Sequence, residues 1–320
     1  MNHLTDPEGW DHGPGFMSNS VEFLREDATF VAEVRSPTVR RRELGALLRR
    51  LRLEKGLTVE QAADQLLFSM SKLSRMETGH GVPTRRDIRD LCDLYGVTDE
   101  AERDRMKKLA EEGKRQAWWQ SYDLPYSTYV GLEAEATAIS DFQSSVVPGL
   151  LQTADYARAG HEGAMPRLSP DEIERRIEAK LTRQAILTQA SPPPPSFMTV
   201  LDEAVLHRMV GGPAVMGVQL ERLIEAAHLP NVTIQVIPFT LGAHPGVESN
   251  FNILEMPAST PGVVFVEGLV GSIYLERPEE LARYQQIFER LQNIALSPKD
   301  TIKLIAKARA RSTEVKSRFG

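Results

Sequence analysis

The chain has 320 residues, is 41% hydrophobic and 26% charged, and carries a net charge of −6 with a single cysteine, Cys92. That length suggests two domains with enough apolar material for a sizeable core, and one cysteine excludes an intramolecular disulfide and fits a reducing cytoplasm. No apolar run approaches the ~20 residues of a membrane span, and Met1–Phe16 has neither the basic start nor the apolar stretch of a signal peptide.

Residues 1–35 show no sustained period and are rich in Gly, Asp, Asn and Ser, which predicts a disordered tail. From Ser36 the signals sharpen. Ser36-Pro37 reads as a helix N-cap followed by a proline in the first turn. Leu44, Leu47, Leu48 and Leu51 then form one apolar helical stripe, which Gly56 ends. Thr58 and Gln61 have capping-box spacing, with Ala62, Ala63 and Leu66 facing inward on a second helix. Ser69 can cap a third helix that buries Leu73 and Met76 and stops at Gly79, Gly81 and Pro83. Thr84 and Asp87 open a fourth, with Ile88, Leu91, Cys92 and Tyr95 inward and Gly96 terminating it. Thr98 starts a fifth, charged helix to about Arg115. These make an all-α five-helix domain over 36–115.

After Trp118-Trp119 the texture changes. Residues 117–165 mix helix-like stretches, such as Leu132–Ala138, with a strand expected at Phe142–Val147. Ser169-Pro170 caps a helix to about Gln189, and prolines 192–195 break the chain. An α+β pattern follows: strand Phe197–Leu201, helix Ala214–Ala227, and strands Val232–Pro238, Phe251–Met256, Val263–Glu267 and Ser272–Glu276. Helices are expected at Pro278–Leu296 and Ser297–Arg311, with 312–320 as a tail. The expected fold is therefore α+β overall, a helical domain followed by a mixed α/β C-terminal domain over 116–311.

The charge divides along the same line. Residues 35–90 hold 13 basic and 7 acidic side chains, a surplus of +6 that leaves −12 on the remainder. A basic N-terminal module joined to an acidic remainder is the pattern expected when one domain faces phosphates. Helices two and three are joined by the short Leu66-Leu67-Phe68-Ser69 turn, which sets two helices at a steep angle. In such a helix-turn-helix the second helix lies in the major groove. Its early residues here are Ser69, Met70, Ser71 and Lys72, with Arg75 one turn on. Ser71 can donate or accept, Lys72 and Arg75 can donate to guanine, and Met70 can pack on a thymine methyl. Arg49, Arg50, Arg85 and Arg86, with the helix start at Thr58, suit phosphates.

Gly56-Leu57-Thr58, Ala62-Ala63, Ser69, Leu73-Ser74-Arg75 and Met76-Glu77-Thr78-Gly79 together resemble the phage-repressor-type helix-turn-helix family (XRE, Cro/CI-like). The resemblance implies an internal ion pair between Arg52 and Glu77 as structural support. Two positions depart from it: Leu67 stands in the turn where the family often has glycine, and Val59 stands where it often has glutamine. Trp118-Trp119, Leu132–Ala136, Val147–Thr153 and Tyr156-Ala157 resemble the actinobacterial WhiJ-like, antitoxin-like regulators, whose domain behind the helix-turn-helix has no defined role. That resemblance runs from about 36 to 311. It implies a cytoplasmic, nucleoid-associated homodimer on a double-stranded DNA operator. A small acidic partner protein or a small-molecule effector would bind the second domain.

Asp202, Glu203, His207, His244 and Glu248 could be drawn into a metal or acid–base site, but they lack zinc-ligand spacing and a second cysteine. Gly211-Gly212-Pro213 and Gly242–Gly246 match no phosphate loop, and Ser144-Ser145 sit on no nucleophile elbow. These residues are expected to be surface or loop positions, and the chain is expected to be neither an enzyme nor bound to a metal or cofactor. Tyr122–Tyr129 and Val147–Thr153 could line a ligand pocket or pack between domains. The expected function is a sequence-specific transcriptional regulator, most simply a repressor. The alternative is an antitoxin-like protein that holds a small partner and autoregulates its promoter.

Overall fold

The computed structural model describes residues 36–319 apart from 165–166, 258–259 and 269–270; the tail expected over 1–35 lies outside the described residues. The architecture is α+β. Helices α1 (Pro37–Glu54), α2 (Val59–Leu66), α3 (Met70–Glu77), α4 (Arg85–Tyr95) and α5 (Glu100–Glu112) form the N-terminal bundle. Its core gathers Leu44, Leu47 and Leu48 of α1 with Ala62, Ala63, Leu73, Met76, Ile88, Leu91 and Met106. Each helix start has its side-chain cap. Ser36, Thr58, Ser69, Thr84 and Asp99 all accept a first-turn N–H, and such caps each stabilise by about 1 kcal/mol.

The second domain is built on a six-stranded sheet of order β3-β2-β1-β4-β5-β6. Its strands are β1 (Ala138–Gln143), β2 (Ser196–Asp202), β3 (Val232–Ile237), β4 (Phe251–Glu255), β5 (Val263–Gly268) and β6 (Gly271–Leu275). β1, β2 and β3 run parallel, and β4, β5 and β6 add antiparallel. The parallel connections pass through α7 (Ala154–Glu162) with α8 (Pro170–Gln184), then through the short α9 (Ala204–His207) with α10 (Gly212–Ala226). One face of the sheet packs on α6 (Ser127–Glu133), α10 and α12 (Pro298–Phe319), with Ile139, Phe197, Leu201, Leu254 and Phe265 pointing that way. The other face buries Phe142, Val200, Phe251, Ile253 and Val264 against Phe288 and Leu291 of α11 (Pro278–Ile294).

Several boundaries differ from the expectation: the helix expected to reach about Gln189 ends at Gln184, and the one expected to reach about Arg115 ends at Glu112. The strand expected at Phe142–Val147 lies at Ala138–Gln143, and the helix expected at Leu132–Ala138 is already ending at Glu133. Asp141 is the cause: a buried carboxylate on the inward face breaks the apolar alternation that marks a half-buried strand. α12 stays helical to Phe319, past the expected end at Arg311. Ser312 remains fully buried there, its hydroxyl bonded back to the Arg309 carbonyl. Among the described residues no helix is long and apolar enough to cross a membrane.

Helix α1 belongs to both domains. Its N-terminal Val39 sits in the core of the second domain, while Leu44–Leu48 fill the bundle. The cap residue Ser36 donates its hydroxyl to the Gly131 carbonyl of α6. A Cβ on Gly131 would stand 2.5 Å from Thr38 Oγ1, so α1 and α6 approach closely because that residue is glycine. Arg40 adds ion pairs to Glu43, to Glu135 beyond α6 and, at 3.5 Å, to Glu112 of α5.

Candidate nucleic-acid interface

At the start of α2 the Gln61 N–H donates to Thr58 Oγ1 at 3.1 Å, and the Thr58 N–H donates to Gln61 Oε1 at 2.9 Å. This capping box claims two of the four orphan donors of the helix and leaves others for an anion. The α2–α3 turn passes through Leu67, which takes the left-handed conformation (φ 55°, ψ 35°) and is 94% exposed. The glycine that the resemblance leads one to expect at this turn has a physical reason, since a Cβ is disfavoured in that conformation.

In α3, the Ser69 hydroxyl accepts the Lys72 N–H at 3.1 Å. Leu73 and Met76 are buried, whereas Met70, Ser71, Ser74 and Arg75 are exposed on the outer side. Ser74 was not among the expected contacts, although it lies three residues from Ser71 and four from Met70, on the same face. Lys72 departs from the expectation. Its ammonium donates to Asp87 Oδ1 of α4 at 2.6 Å and lies 3.7 Å from the centroid of the Phe68 ring. Burial would raise the Asp87 carboxyl, but hydrogen bonds from Lys72 and Thr84 hold it below the usual carboxylate range. Lys72 thus ties α3 to α4 while its side chain stays partly exposed.

The back of α3 is held to α1. Arg52 donates from Nε and Nη2 to the two Glu77 oxygens at 2.7 and 2.9 Å, and from Nη1 to the Leu57 carbonyl at 2.7 Å. Both side chains are nearly fully buried, and the bidentate carboxylate holds the guanidinium above its ordinary pKa. A second contact was not anticipated. A Cβ on Gly45 would stand 2.6 Å from the carbonyl oxygens of Met76 and Glu77, so α1 touches the end of α3 backbone to backbone.

The residues expected to meet phosphates are in different states. Arg85 is largely exposed and paired with Glu111, and Arg86 reaches Asp90 at 3.6 Å. Arg49 and Arg50 line an open groove between α1 and the β5–β6 side of the sheet, with Arg50 at 3.6 Å from Glu54 and 3.7 Å from Glu102. Deeper in this groove Arg42 pairs with Glu276 and lies 5.9 Å from the centre of the Tyr274 ring. Nothing in the Arg40-Arg41-Arg42 run marks the last arginine as an interdomain tie.

The acid–base candidates of the second domain are not loose surface groups. His244 is buried and its Nε2 lies 3.1 Å from Asp202 Oδ2, while its Nδ1 accepts the Gly246 N–H at 3.2 Å. His207 lies 3.1 Å from Glu203, whose second oxygen accepts the Phe239 N–H. With Nε2 on Asp202 at the end of β2 and Nδ1 on Gly246, His244 ties the Gly242–Gly246 loop to the sheet. Among the described residues no cluster of three metal-ligating side chains occurs.

Residues 43–106 match the family model of a helix-turn-helix domain, and residues 126–307 match that of a domain of unknown function, DUF5753. No curated protein and no solved structure matches the chain.

Proposed function

We propose, starting from a chain that belongs to the DUF5753 family and carries a helix-turn-helix domain ahead of it, that the protein is a sequence-specific transcriptional regulator. It binds its operator as a homodimer, acts as a repressor, and responds through the second domain to a bound effector. The reading sets it with the XRE (Cro/CI-like) regulators of the actinobacterial WhiJ-like group. One observation carries it: α3 exposes Met70, Ser71, Ser74 and Arg75, while its opposite side is fixed by Gly45 and the Arg52–Glu77 pair. A rigid helix with small polar groups and one arginine outward can enter a major groove, where Arg75 donates bidentately to guanine and Ser71 adapts to several bases. Ser69 borders this surface. Lys72 positions the helix, and the α2 start at Thr58, with Arg85, Arg86, Arg49 and Arg50, neutralises phosphates.

The shared helix supports control from the second domain. α6 packs on α1 through Gly131 and carries Tyr129 and Glu133 on its other side, so a shift of α6 is passed to the reading head. Genome-wide mapping of bound sites followed by footprinting tests the proposal. Two protected half-sites with centres a whole number of turns apart, about 34–36 Å per turn, are expected. Uniform coating of any duplex would refute sequence-specific regulation.

A further inference from the structure

Between α6, α7, α8 and the sheet lies a cavity of about 220 Å³, lined in part by the Tyr122–Tyr129 and Val147–Thr153 stretches, through Tyr126, Tyr129, Val147 and Gln152. Its volume is that of roughly seven water molecules. That is below the ~300–1,000 Å³ of pockets for drug-sized ligands, so it suits something of amino-acid size.

The charges of the cavity do not balance locally. Glu133 and Arg183 close on each other through two hydrogen bonds of 2.8 Å, a self-contained pair beside the Tyr126 and Tyr129 rings. Asp141 is different. It sits on central strand β1, in register with Thr199 of β2 and Asn252 of β4, and both neutral side chains donate to it, as does Gln143. Burial pushes its carboxyl up to about 6. Lys180 of α8 donates to the neutral Gln152 Oε1 at 2.6 Å, and burial lowers its ammonium to about 8. Among the described residues neither has a counter-charge within ion-pair distance; the exposed Glu267 at the rim acts on Lys180 from farther away. His161 completes the cationic end. Burial and then Lys180 hold it near 4, so it is neutral, and its Nε2 is enclosed without a hydrogen-bond partner.

A buried carboxylate and a half-buried ammonium in one small cavity, neither with a counter-charge within ion-pair distance, are costly to a protein that gains nothing from them. We propose that this cavity binds a small zwitterion of amino-acid size, its carboxylate on Lys180 and His161 Nε2 and its ammonium on Asp141, between walls that include Tyr126, Tyr129 and Phe265. This identifies the effector of the regulator reading and rests on that reading. Tyr129 and Glu133 belong to α6, so the ligand touches the helix that packs on α1.

The test is differential scanning fluorimetry and calorimetry of the full chain with the standard free amino acids at about 1 mM, with acetate and methylammonium as single-charge probes. A saturable rise in melting temperature is expected from at least one zwitterion and from neither single-charge probe. Lys180→Met and Asp141→Asn should each weaken that ligand about ten- to a hundredfold, the loss expected for one charged hydrogen bond. Each removes a charge that has no counter-charge in the fold, so the unliganded variants should remain folded, which circular dichroism checks. A panel without any saturable shift overturns the proposal. So does an equal shift from acetate alone, or wild-type affinity in both variants. Affinity for the mapped operator is measured alongside. Intact DNA binding without a zwitterion ligand removes only this inference, whereas zwitterion binding without DNA binding removes only the regulator reading.

Discussion

The helix bundle pairs its buried charges, whereas the cavity pairs Glu133 with Arg183 but leaves Asp141 and Lys180 without counter-charges. In the bundle Arg52 meets Glu77, Asp87 meets Lys72, and Glu43 meets Arg40 and Arg105. In the cavity Asp141 and Lys180 rest on neutral side chains, and His161 Nε2 on nothing. Paired buried charges serve position, because their geometry is satisfied within the fold. Charges left without partners are destabilising in isolation, and such sites are where ligands are met. The first domain therefore satisfies its buried charges within its own fold, whereas the second leaves Asp141 and Lys180 without counter-charges.

The largest expected effect would come from breaking a pair in the bundle. Arg52→Ala leaves Glu77 buried without a partner and should lower stability by about 3–5 kcal/mol, read from the denaturant midpoint. The double replacement Arg52→Met with Glu77→Leu should recover much of that loss. If the single variant melts like wild type, the pair is not the support described. Gly45→Ala drives a Cβ into two backbone oxygens of α3 and should cost about 3 kcal/mol; a neutral result would mean α1 and α3 stand farther apart.

The matching experiment on the cavity should change with pH. Asp141 titrates near 6 when folded and near 3.8 ordinarily, so the folded state holds its proton more tightly. Its cost is fully present above about pH 6 and fades as pH falls from there toward 4. Asp141→Asn should thus gain about 3 kcal/mol relative to wild type between pH 3 and pH 8, on top of a pH-independent cost, because one amide oxygen cannot accept all the hydrogen bonds that Thr199, Asn252 and Gln143 give the carboxylate. A difference from wild type that does not change with pH would show that the carboxylate carries no such cost, and the contrast between the domains would fail. Smallest is Leu67→Gly, which relieves a left-handed leucine and should stabilise by roughly 0.5–1 kcal/mol in thermal melts. A loss instead would mean that the exposed leucine has a contact of its own.

The two halves also differ in how far they could be read from sequence. The bundle is made of local signals. Ser36-Pro37, Thr58 with Gln61, Ser69, and Thr84 with Asp87 are caps within four residues of what they bind, and all occur where expected. In the second domain most strands fall within a residue of expectation, but their order does not follow from local pattern. β1 was displaced because Asp141 looks like a loop residue until Thr199 and Asn252 flank it in register. The interdomain tie between Arg42 and Glu276 spans 234 residues and leaves no periodic trace. Asp202 and His244, 42 residues apart, meet only through the fold. On the reading face Ser74 was accessible to helical projection, while the capture of Lys72 by Asp87 depended on how α4 packs.

If α3 reads DNA through a rigid outer face, Arg75 is the side chain whose loss should show it. Arg75→Ala should keep the wild-type melting temperature, because the side chain is exposed and outside the core. On the mapped operator, by fluorescence anisotropy at fixed salt, it should bind about ten- to a hundredfold more weakly, with unrelated duplex affected far less. Equal affinity of the variant and the wild type for the operator would contradict the account.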